Sequence, residues 1–113
     1  MKDDKLYLIH IGECLERIEK YIGLDGKDGF MASTLTQDAV LRNLATMAES
    51  TQRLSEDLKA ARPEVNWYKI SGFRNVMVHD YLSLDLDRVW LIIENELRGL
   101  NRAITAMRRE LGI

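Results

Sequence analysis

Along three long stretches of the chain, apolar residues recur at spacings of three and four, a period that suits helices and excludes extended strands. In the first stretch Leu8, Ile11, Leu15, Ile18 and Ile22 fall on one stripe. Asp3 or Asp4 can cap its start, and Gly23 can stop it. In the second, Val40, Leu44, Met47, Thr51, Leu54 and Leu58 carry the pattern from about Thr36 to Ala61, and Pro63 prevents much further extension. In the third, Val89, Ile93, Leu97, Leu100, Ile104, Met107 and Leu111 repeat it, with Ser83 or Asp85 as the cap. No stretch alternates with period two, so no strand is expected.

Between these stretches the sequence is less regular. The linker Leu24 to Leu35 has two glycines and two aspartates in its first half and reads as a loop, pinned to the core by Phe30 and Met31. From Glu64 to Leu82, Asn66 can cap a short turn over Trp67 to Ile70. Ser71 can then cap a helix from about Gly72 to His79 or Asp80. The expected fold is all-α: an up-and-down antiparallel bundle of three long helices and a short one, in a single domain over residues 1–113.

A chain of 113 residues has room for one core and often gains from a partner. Its net charge of -2 argues against binding nucleic acid through bulk positive charge, but leaves room for a local basic site. Cys14 is the single cysteine, which leaves no internal disulfide and no cysteine-based metal site and fits a reduced, cytoplasmic compartment. With two histidines and no acidic pair at ligand spacing, neither a metal nor a cofactor is expected. The N-terminal residues Lys2, Asp3, Asp4 and Lys5 do not resemble a signal peptide. No apolar run is long enough to span a bilayer, so no membrane association is expected.

The short helix is the anomaly. Within Phe73-Arg74-Asn75-Val76-Met77-Val78-His79, an arginine, an asparagine and a histidine interrupt an apolar run. Asn75 and His79 are four apart and share a face, and the long side chain of Arg74 can reach the edge of the same pocket. A guanidinium grips phosphate through two hydrogen bonds, an imidazole exchanges protons near neutral pH, and an amide can orient either. By spacing alone, a histidine in such a place is more often a surface or capping residue than a catalytic one.

The segment resembles the R-x4-H-x-Y signature of the HepT-like HEPN family, with Arg74, His79 and Tyr81 in its three places and Asn75 as the polar residue after the arginine. The likeness extends over roughly Leu6 to Leu100. Asp38-Ala39-Val40-Leu41-Arg42-Asn43-Leu44 looks like the family's second-helix opening, Trp67 and Ile70 precede Gly72 as expected, and Val89-Trp90 starts the last helix. Ala48-Glu49-Ser50 departs from the Gly-Glu-Ala of many relatives but keeps the glutamate.

This resemblance implies a metal-independent ribonuclease toxin of a two-gene toxin–antitoxin system. The site would be a composite cleft in a homodimer, and the RNA substrate a tRNA or an mRNA. Arg74 would bind phosphate, His79 would serve as general acid or base, and Asn75 would position His79 or the substrate. Tyr81 would accept AMP from a cognate minimal nucleotidyltransferase antitoxin, silencing the toxin; its residue-level alternative is a tyrosine packed at a helix end. Beside the resemblance, Asp80 reads as solvent-facing or as a hydrogen-bond partner of His79, and Glu49 and Arg42 as a supporting polar cluster near the motif or as exposed residues.

Two other readings stand beside this one: a non-catalytic HEPN adaptor that binds a nucleotidyltransferase or a nucleotide, and a plain helical dimerisation module. His10 is expected at the surface and Cys14 as a small buried hydrophobe. Arg98, Arg102, Arg108 and Arg109 make the last helix basic, offset by Glu94, Glu96 and Glu110, so a solvated face is expected there, with RNA contact the lesser option.

Overall fold

The computed structural model describes residues 2–73 and 85–113. Among them there are six helices and no strand. They are α1 (Lys2–Ile22), α2 (Gly26–Ala32), α3 (Thr34–Arg53), α4 (Glu56–Ala60), α5 (Trp67–Ser71) and α6 (Leu86–Glu110). The three long helices are those expected from the apolar periodicity.

Helix α1 lies between the other two long helices and runs antiparallel to both. Asp4, near its start, meets Ser55, just past the end of α3. Gly12 lies under the guanidinium of Arg108 in the last turn of α6, whereas Ile22 and Gly23 share a groove with Trp90 near the start of α6. The α1 stripe of Leu8, Ile11, Leu15 and Ile18 is buried in this arrangement. Against it pack Val40, Leu44 and Met47 from α3 and Leu97, Leu100, Ile104 and Met107 from α6. Burying a side chain of this kind stabilises by about 1.5–3 kcal/mol relative to leaving it exposed.

Two expectations need correction. Leu24–Leu35 is not all loop, because α2 occupies its middle. Gly23 and Gly26 take positive φ values of 59° and 56° and turn the chain into it. With seven residues, α2 is too short to show a period, and Phe30 is its single buried residue. Phe30 is fully buried, with its ring centroid 5.7 Å from that of Trp90. The amide of Gln37 donates to the carbonyls of Phe30 and Met31, serving groups that the end of α2 would otherwise leave without partners.

The second correction is that the helix expected from Thr36 to Ala61 is two helices. Leu54 and Ser55 are extended, with ψ of 145° and 148°. Leu54 and Leu58 keep the apolar spacing across the break, so periodicity conceals it. The cause is polar. Ser55 accepts from the Leu58 amide as the cap of α4, while its own N–H and hydroxyl donate to the Asp4 carboxylate at 2.8 and 2.7 Å. Asp4 is therefore a clasp between helices, placed in the first turn of α1 as an acidic residue there should be.

Burial pushes the Asp4 carboxyl up, but hydrogen bonds from the Ser55 side chain and backbone outweigh it and hold the group below its ordinary value. A carboxyl lowered on folding contributes stability above its unfolded value of about 3.9, and that contribution is lost as the pH falls through the folded value. Asp4→Ala is expected to lower the unfolding free energy at pH 7 by about 1–2 kcal/mol, or roughly 5–10 °C in Tm. Thermal melts across pH should show the gap from wild type narrowing below about pH 4.

Candidate functional site

The segment from Arg74 to Tyr81, which contains Arg74, Asn75, His79, Asp80 and Tyr81, lies outside the described residues, as do the rest of the helix expected after Gly72 and Ser83 as an alternative cap. The residues on either side of the segment are described, and both sides are tied to the bundle.

On the near side, Asn66 caps α5, its side chain accepting from the Lys69 amide at 3.0 Å. The indole N–H of Trp67 is directed at two carbonyls, those of Lys59 at 3.0 Å and Arg62 at 3.1 Å, joining α5 to the end of α4. Ile70 and Phe73 are buried in the core. Lys69 pairs with Glu96 of α6. Ser71 is the last residue of α5 and not the cap of a following helix, because Gly72 ends α5 in helical geometry. The Ser71 carbonyl accepts from Gln52, and its hydroxyl lies 3.5 Å from that of the fully buried Thr51.

On the far side, Asp85 is the cap of α6, accepting from the Arg88 amide at 3.2 Å. Helix α6 thus starts three residues before Val89, adding Leu86 to the packed face.

Arg42 and Glu49, expected to support the motif, lie on α3. Glu49 is half-buried and pairs with Arg53 at 3.6 Å. Arg42 is exposed and lines a groove between α1 and α3 together with His10 and Arg17. His10 is half-buried there, not fully at the surface. Cys14 is 1% exposed, and burial, the largest influence, pushes its thiol up. The groove escapes a sequence reading because its members come from two helices, with Arg17, Tyr21 and Arg42 each passing for an ordinary exposed residue. One signal is present: His10, Cys14, Arg17 and Tyr21 recur at spacings of four, three and four along α1, a second stripe beside the apolar one. No group of three or more histidine, cysteine, aspartate or glutamate side chains among the described residues could hold a metal ion. No helix among them is long and apolar enough to cross a membrane.

A family model described as Ribonuclease HepT-like matches residues 11–107. A Thermococcus cleftensis protein named "Probable ribonuclease HepT" is 26% identical over 108 residues, covering 96% of this chain and 98% of its own length. A Methanocaldococcus jannaschii protein named "Gamma-glutamylcyclotransferase and putative RNase" is 29% identical over 110 residues, or 97% of this chain. The chain spans 50% of that longer relative. No solved structure matches the chain.

The flanking geometry can be checked at two residues. Trp67→Phe removes the donor shared by the Lys59 and Arg62 carbonyls and should lower stability by about 1–2 kcal/mol in chemical denaturation, with the helical circular dichroism retained. Cys14 should react with an aromatic disulfide reagent orders of magnitude more slowly in the native chain than in denaturant, followed as thiolate release.

Proposed function

The chain belongs to the HepT-like ribonuclease family, and on that premise we propose that it is a metal-independent endoribonuclease, the toxin of a two-gene toxin–antitoxin system. The observation that carries this reading is the array Arg74, Asn75, His79 and Tyr81 at R-x4-H-x-Y spacing, inside the stretch matched by the family model.

The chemistry follows from the residue types. A ribose 2′-hydroxyl attacks the adjacent phosphorus; the new 2′-O–P bond forms as the P–O5′ bond breaks, leaving a cyclic phosphate and a 5′-hydroxyl. His79 takes the proton from the attacking hydroxyl or gives one to the leaving oxygen. Arg74 holds the non-bridging oxygens and offsets the charge that builds on them in the transition state. Asn75 positions His79 or the substrate, and Asp80 steadies His79. A homodimer bringing two copies of the segment to one cleft concentrates positive potential that a chain of net charge -2 lacks overall. The substrate is cellular RNA, a tRNA or an mRNA.

Tyr81 is the control point. A cognate minimal nucleotidyltransferase transfers AMP to its hydroxyl, and the added phosphate and bulk beside Arg74 compete with RNA for the same guanidinium.

Expression of the wild-type chain in a bacterial host should arrest growth and yield RNA fragments ending in cyclic phosphate. His79→Ala and Arg74→Ala should each reduce cleavage by about 100-fold or more. Harmless expression of all three, with a stable complex to a nucleotidyltransferase, would instead identify a non-catalytic adaptor. Co-expression with the nucleotidyltransferase should add mass in AMP-sized steps that disappear in Tyr81→Phe.

A further inference from the structure

The groove between α1 and α3 encloses about 380 Å³. Its polar lining is His10, Arg17, Tyr21, Arg42, Asn43 and Thr46, and no acidic side chain contributes to it. Two other large grooves on the described surface each include glutamates: Glu64 and Glu96 in one, Glu19 and Glu94 in the other. In a chain of net charge -2, a depression lined by two arginines and no carboxylate is a local inversion of sign.

The antiparallel packing of α1 on α3 brings the two arginines, Arg17 and Arg42, to one groove. Arg17 has Glu13 one turn away at 3.9 Å, with both side chains about half exposed, a weak partner. No ion pair of Arg42 occurs among the described residues. One turn beyond Arg17 on the same helical face, Tyr21 is 41% exposed. Two arginines lining one groove favour an anion there, and a partly exposed tyrosine in the same lining is a platform on which a base can stack.

We propose that this groove is a binding track for single-stranded RNA, with Arg17 and Arg42 gripping successive phosphates and Tyr21 stacking on a base. The inference rests on the ribonuclease reading for the identity of the polymer and adds to it a contact surface outside the Arg74–Tyr81 segment. An acidic enzyme would in this way hold its substrate through one confined strip.

The test uses a fluorescein-labelled 20-nucleotide RNA that is 2′-O-methylated throughout and so cannot be cleaved, titrated with the full chain by anisotropy over a range of salt concentrations. Arg17→Gln/Arg42→Gln should weaken binding by about ten-fold or more and reduce the salt slope by about 1.4, because two phosphates are no longer neutralised. Tyr21→Leu should weaken binding about five-fold or more with the salt slope unchanged. Arg109→Gln, exposed in the last turn of α6 and outside the groove, should behave as wild type. Thermal melts check that each variant folds. If the groove variants bind the methylated RNA as wild type does while wild type cleaves ordinary RNA, the track is wrong and the ribonuclease reading stands. If they lose binding as expected but wild type cleaves nothing, the track stands and the ribonuclease reading falls. Absence of binding by wild type overturns the track, as does equal weakening in Arg109→Gln.

Discussion

The position of α1 depends on one carboxylate in its first turn. Burial of the apolar stripe of α1 is non-directional. The two hydrogen bonds from Ser55 add direction, because each has a fixed length and angle. They also convert what periodicity presents as one helix into two.

Much of the fold is legible in the sequence because the long helices bury their stripes where the spacing of three and four places them. Gly23 as a stop, Asn66 and Asp85 as caps, and Phe30 as an anchor are equally readable, since each acts through a local rule of backbone geometry or a single large buried side chain. The misreadings share one cause. Helix α2 and the break at Leu54–Ser55 are decided by partners in other helices: Trp90 for Phe30, Gln37 for the last carbonyls of α2, and Asp4 for Ser55. Local patterning carries no trace of such partners.

The candidate site divides along the same line. Arg74, Asn75, His79 and Tyr81 stand out by residue type and spacing within one short segment, and family membership gives that spacing its meaning. The α1–α3 groove is hidden from such a reading because Arg17 and Arg42 come together only through the packing of two helices. What the described residues add is how the chain on either side of the segment is tied to the bundle. Trp67, Ser71 and Lys69 secure one side to α4, α3 and α6, and Asp85 secures the other to α6.

The placement of α1 between α3 and α6 also bears on the order of events during synthesis. Its stripe is covered on one flank by α3, which follows closely in the chain, and on the other by α6, whose Ile104 and Met107 are made much later. A nascent chain that has emerged only through α5 leaves Leu8, Leu15 and Ile18 covered on one side alone, with no closed core. The bundle therefore closes late, when the ribosome has delivered α6, and the groove formed with α3 can exist before the core that supports it is complete.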